Sequence, residues 1–230
     1  MKKTFPSELA YIVGLVALAI GVALMQIADF GMSVVVAPAY LLHVKVSQVL
    51  PFFSFGMAEY CLQALLLVIL ALVLRKPRIY YLFSFVTAFV YGMILDGAVM
   101  LIGMLPQVSV ILRHIYYVTG LLTCSFGVAM MFETYIAPEA YELFVKEISA
   151  HGGGKTSRVK TIYDICSCSV GIILSFAFFG FGRFEGVKIG TILCALVNGS
   201  CIGMFTRLLH SRFEFADRLP FRSFFTPASK

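Results

Sequence analysis

The chain has 230 residues, of which 60% are hydrophobic types and only 13% are charged, and its mean hydropathy is +0.93. A soluble domain of this length cannot clothe itself in so little polar surface, so the composition excludes one and requires a lipid-facing exterior. The formal charge of +6 does not mark a nucleic-acid face either, because the basic residues lie between long apolar runs, which is the pattern of membrane topology.

The first spanning helix is expected over Ser7–Ala28. Its start carries Thr4 as a candidate N-cap, Pro6 in the first turn and Glu8 at the positive end of the dipole. The apolar run from Leu9 to Ile27 is too long for a signal-peptide core and reads as a helix that stays in place. Residues 29–53 contain the apolar stretch Ser33–Leu42, expected as a short re-entrant or interfacial helix. Further spans follow over Phe55–Leu74, Tyr80–Met104 and Ile115–Tyr135. Glu139–Ala150 then sets Leu143, Phe144 and Ile148 against Glu142, Lys146 and Glu147. It reads as an interfacial amphipathic helix ending in a Gly152-Gly153-Gly154 link. The last spans cover Ile162–Phe181 and Lys188–Leu209, and the basic, aromatic tail Ser211–Lys230 is expected on the inner membrane surface. Each span is long enough for roughly 30 Å of hydrocarbon at about 1.5 Å per residue.

Lys and Arg set the orientation. With the N-terminus inside, only Lys45, Arg113, Arg183 and Lys188 of the 18 basic residues fall outside, so both termini are expected inside.

An internal repeat is the most informative feature. At an offset of 106, Tyr11, Gly14, Leu15, Gly21, Val22, Ala23 and Met25 meet identical residues in Tyr117–Met131. Ala88–Gly92 meets Ala195–Gly199 at an offset of 107, and Val46–Val49 faces Thr156–Val159, which follow Lys155, at 110. The expected fold is therefore an all-α membrane protein of six transmembrane helices in two three-helix repeats, residues 1–104 and 113–209, with a cytoplasmic tail over 210–230. Three is odd, so the second copy must be inverted, an architecture used by many secondary transporters.

The repeat also selects candidate residues. Tyr91 and Asn198 are equivalent, and Asn198 sits about 15 Å into its helix, near the midplane. There it either ties helices together or lines a polar site. Asp96 is an intramembrane acid, a functional candidate by default, with pairing to Arg113 or capping as the alternative. Gln26 and Glu133 complete the expected substrate-binding set of Asn198, Tyr91, Asp96, Gln26 and Glu133. Glu59, Asp164 and Asp29 are further acids near span ends. The small pairs Ala88/Gly92, Ala195/Gly199 and Gly199/Gly203 are expected to pack helices 3 and 6 on the pseudo-two-fold axis. Breaks at Asp29–Ser33 and Tyr135–Pro138 would expose backbone groups for binding.

None of the four His clusters with metal ligands, and no Walker, GxSxG, HExxH or dinucleotide motif occurs. No enzyme, cofactor or metal is expected. The six Cys all fall in apolar segments, against a disulfide framework, and Cys166-x-Cys168 points its thiols to different helix faces.

The sequence resembles the bacterial YczE/YyaS/YitT group of integral membrane proteins, the YczE branch best. The resemblance rests on Gly21–Leu24 and its repeat, on Ser157–Ile162, and on Gly190-Thr191 with Ala195, Gly199 and Gly203. It implies a multi-pass protein of the bacterial inner membrane more than an activity. The group tends to carry Ser-Pro or Gly-Pro after helices 1 and 4. Here the first break reads Ser33-Val34, and Ala137-Pro138 is taken as the only Pro retained. The leading expectation is a secondary transporter or exporter of a small solute. The bilayer, a substrate, a coupling ion and a second copy are its candidate partners, and no nucleic acid is. The alternative is a non-transporting accessory protein that binds a partner or lipid.

Overall fold

The computed structural model describes residues 3–74, 80–106, 109–152, 156–180 and 187–219. Arg75, Lys76, Arg78, Gly153, Gly154, Lys155, Arg183 and the tail beyond Leu219 lie outside the described residues. Among the described residues there are eight helices and two short strands: β1 (Lys3–Pro6), α1 (Ser7–Ala28), α2 (Ala37–Val46), α3 (Phe55–Leu74), α4 (Tyr80–Ile102), α5 (Val110–Phe132), α6 (Ala140–Gly152), α7 (Thr156–Phe179), α8 (Ile189–Arg212) and β2 (Phe213–Ala216). Six of them, all but α2 and α6, are long and apolar enough to cross a membrane. Their outward faces carry many exposed Leu, Ile, Val, Phe and Met side chains, a surface that only lipid can cover. The chain is a multi-pass integral membrane protein.

The centre of the bundle is the α1–α5 pair, the most extensive helix contact in the molecule. The helices run antiparallel and touch through glycines. A Cβ on Gly14 would lie 2.9 Å from Gly127 O, and one on Gly21 would lie 2.7 Å from Gly120 O. The repeat offset carries Gly14 to Gly120 and Gly21 to Gly127, so each contact is the image of the other. Around this pair, α4 lies on α1 and α8 on α5, while α2 packs on α7 and α3, and α6 on α3 and α7.

Several expectations are corrected. Helices 1 and 4 of the sequence reading (α1 and α5), rather than helices 3 and 6, make the central glycine contact. Gly92 does pack, but on Gly56 of α3, whereas Gly199 and Gly203 have nothing within 4 Å of a Cβ. Spacing of small residues permits close approach without compelling it. Thr4 does not cap α1. It lies in β1, which pairs in parallel with β2, and Pro6 holds the cap position in extended conformation. Phe5 stacks edge-on against Phe213 and Phe215 at 5.4 and 5.8 Å. α5 begins five residues before the expected Ile115, and α7 six residues before Ile162.

The larger correction concerns α6. It is no interfacial helix: Ala140, Tyr141, Glu142, Leu143, Val145 and Ser149 are buried. A short helix, α2 or α6, thus follows each of α1 and α5. The first break also keeps its proline, since Pro38 opens α2 just as Pro138 precedes α6. Proline's fixed φ suits a first helical turn, and its missing N–H costs nothing there.

Candidate functional site

Both short helices begin inside the bundle. Beyond α1, Asp29 adopts a left-handed conformation (φ 56°) and Gly31 a φ of 120°, turning the chain inward. Ser33 O then accepts from the N–H groups of Val36 and Ala37 at 3.1 and 2.9 Å, and Val34 O accepts from Ser167 Oγ on α7 at 3.0 Å. Beyond α5, Ala137 O and Pro138 O accept from Thr87 and Ser84 of α4 at 3.0 and 2.6 Å. The N-terminus of α6 is satisfied by a side chain: Gln63 Oε1 accepts from Ala140 N–H at 3.0 Å. Gln63 lies about 12 Å into α3 at 1.5 Å per residue, so α6 starts deep within the bundle. Buried helix ends need such partners, because their first N–H groups have none within the helix.

Where these segments meet α1, α4, α5, α7 and α8 lies an enclosed cavity of about 20 Å³. That is room for one water, whose centre needs roughly 10–15 Å³. Tyr91, Asn198, Glu139, Tyr141, Glu142 and Lys160 supply its polar lining. The Ser125 hydroxyl donates to Asn198 Oδ1 at 2.8 Å, fixing the amide. The Tyr91 hydroxyl is wholly buried and has no partner. Lys160 Nζ is bound to Asp164 Oδ1 at 2.8 Å.

A carboxyl network adjoins the cavity. Gln63 Nε2 donates to Glu139 Oε2 at 3.2 Å and Glu59 Oε2 at 3.4 Å. The Tyr141 hydroxyl donates to Glu59 Oε2 at 2.9 Å. One oxygen each of Glu59, Glu139 and Glu142 is buried without a partner. Burial, with Glu142 and Glu59 as like-charged neighbours, pushes the Glu139 carboxyl well above the usual carboxylate range. Burial also raises Glu142, against the opposing pull of Lys160. Among the described residues, only Glu142 and Asp164 feel a cation, Lys160, and Glu59 and Glu139 sit without one in an interior where unpaired charge is very costly.

Of the residues expected from sequence, Tyr91 and Asn198 are brought together at the cavity. The other three lie elsewhere. Asp96 caps α3, accepting from Gly56 N–H at 2.7 Å and from Ser54 Oγ at 2.6 Å. It does not pair with Arg113, which binds Asp29 at 3.0 Å, as does Lys188. Gln26 lines a polar pocket of about 400 Å³ with Asp29, Tyr40 and Arg113. Glu133 pairs with His210 at 2.9 Å. Glu139, Gln63, Tyr141 and Lys160 were not selected by sequence. The parallel Ala37-Pro38 and Ala137-Pro138 is the signal that could have found Glu139. Among the described residues, no group of three His, Cys, Asp or Glu is placed to hold a metal. All six cysteines are free.

A second, apolar groove of about 840 Å³ opens between α5, α7 and α8, lined by Tyr117, Ile172, Val187 and Leu193 among others. The Tyr117 hydroxyl donates to Gly190 O at its floor.

Neither a curated protein nor a solved structure matches the chain. A family model does, over residues 5–207, and the chain belongs to that family, DUF6198, a family of unknown function.

Proposed function

We propose that this protein is a secondary transporter of a small solute working by alternating access, whose site opens at the Tyr91–Asn198–Glu139 cavity, closed down in this state to the size of one water. The carrying observation is the cavity itself: enclosed, deep among five spanning helices, and lined by residues that include a buried hydroxyl and a carboxylate oxygen without partners among the described residues. Structural polar groups in an apolar interior are normally satisfied. Atoms left open at a cavity await an occupant.

The reciprocal glycine contacts of α1 and α5 support an inverted repeat. The helix pairs support it too, since α1–α4 answers α5–α8 and α2–α7 answers α6–α3. In this reading the halves lie in opposite orientation, with both termini inside a bacterial inner membrane. The resemblance to the YczE branch fits the same picture, and no catalysis is involved.

The test begins with a thermal-shift screen of the purified protein against metabolites, cations and anions. A ligand at 100 times its Kd adds about 2.7 kcal/mol. Any hit is then followed as saturable flux into proteoliposomes. Loss of binding and flux in Asn198→Leu and Tyr91→Phe is the expected result. A hit that binds equally well in both variants removes the cavity from the reading. No stabilisation and no flux across the panel returns the chain to the accessory class.

A further inference from the structure

We propose that Glu139 and Glu59, joined through the Gln63 side chain, form a proton-binding site inside the bundle, and that the bound proton holds the start of α6 against α3. This deepens the transport reading, because it names the proton as the coupling species, and rests on that reading for the coupling alone.

The hydrogen-bond inventory carries the argument. A glutamine amide offers two N–H donors and one carbonyl. The Gln63 carbonyl is taken by Ala140 N–H, and its nitrogen reaches Glu59 Oε2 and Glu139 Oε2. Tyr141 spends its only hydrogen on Glu59 Oε2. Nothing is left for Glu59 Oε1 or Glu139 Oε1, and both are buried. Two carboxylates sharing one amide would leave two bare anionic oxygens in an apolar interior. A hydrogen on either carboxyl removes one such charge and the repulsion between the pair.

Among the described residues, no cation faces Glu139. The groups that face Glu139 are Glu142 and Tyr141 from its own segment, Glu59 from α3, Tyr91 from α4, Tyr11 from α1 and Cys124 from α5. None is a cation. Lys160 of α7 lines the same cavity but is engaged by Asp164. A divalent ion lacks its ligand set among the described residues, whereas a proton needs a single oxygen. The unpartnered Tyr91 hydroxyl is a second, independent sign that the cavity beside Glu139 takes a guest, and one water there would deliver or accept the proton. Chemically the step is simple: H⁺ from the aqueous phase is relayed through that water, which takes up one proton as it hands one on and so is regenerated, and adds to a Glu139 carboxylate oxygen. Its release restores two anions across Gln63 and pushes α6 from α3.

The test is infrared spectroscopy of the full chain in lipid nanodiscs, titrated with alkali. The expected result is a protonated-carboxyl stretch that persists at neutral pH and is diminished in Glu139→Gln, an uncharged mimic of the protonated form that retains the fold. Glu59→Gln provides the second variant. A wild-type spectrum without that band at neutral pH, or a band untouched by both substitutions, overturns the site. Flux is read separately. A proton gradient should drive uptake of the solute hit in wild type and fail to do so in Glu139→Gln. Gradient-driven uptake retained in that variant overturns the coupling role. If the band behaves as expected and no solute moves, the transport reading fails and the proton site stands.

Discussion

Replacing Gly21 by alanine should destabilise the protein more than the same change at Gly199, although sequence spacing ranks the two alike. At Gly21 a Cβ would lie 2.6 Å from both N and Sγ of Cys124 and 2.7 Å from Gly120 O. Ordinary contact begins near 3.4 Å, so α1 and α5 must part by several tenths of an ångström. Two of the three obstacles are backbone, and a side chain cannot swing clear of them. Forcing extra volume into a packed core costs about 1–3 kcal/mol. For a chain of this length each kcal/mol lowers Tm by roughly 2–4 °C. At Gly199 nothing lies within 4 Å. Alanine there should be neutral or gain a few tenths of a kcal/mol from its better helix propensity. The assay is thermal unfolding of both variants in one detergent, followed by dye binding at free cysteines. Equal Tm values for the two would refute the inference that the α1–α5 glycines, and not small residues generally, hold the bundle together.

Asp96→Ala should cost about 0.5–2 kcal/mol through loss of the α3 cap, seen as a lower Tm, while solute flux per folded molecule stays at the wild-type level. Asp29→Asn keeps a residue tolerant of left-handed backbone but removes the partner of Arg113 and Lys188. Because that pairing is largely exposed, chemical denaturation should show a loss under about 1 kcal/mol. Stability should also fall as pH rises. Glu139 and Glu142 bind protons more tightly in the folded protein than in the unfolded chain. Their contribution is complete below the ordinary glutamate range near pH ~4.3 and drains away through their elevated values. Denaturation across a pH series should record this decline, and a stability that climbs with pH would contradict it. Asn198→Leu should abolish flux with little change in Tm, since the single Ser125 hydroxyl hydrogen can turn from Asn198 to Leu121 O, also 2.8 Å away.

The spans were legible because lipid imposes the strongest of all patterns, an apolar run of fixed length. Phe55–Leu74 and Ser7–Ala28 were read to the residue. Tyr91 and Asn198 were legible because the sequence repeat makes them equivalent, and both line the central cavity. The fate of α6 was hidden for a physical reason. Its alternation of Leu143 and Phe144 with Glu142, Lys146 and Glu147 is what an interfacial helix would show. The groups that make its burial tolerable, Gln63 and Lys160, come from other helices. The strand pair was hidden likewise, because partners some 210 residues apart leave no local trace. Asp96 shows the converse: an acid within an apolar helix does invite a functional reading, but the N-terminus of α3 satisfies it as well.

The two flanks of the central pair are built unequally. On one side Gly56 and Gly92 let α3 and α4 close backbone to backbone. On the other, α7 and α8 stand further apart around the apolar groove. Under the proposed alternating access, the α1–α5 seam would act as a fulcrum with one arm latched and one arm slack. A bulky residue at Gly92 would prise the latched arm open, and a cross-link between α7 and α8 would take up the slack of the other. If the proposed rocking occurs, the two perturbations should trap the molecule at its opposite ends.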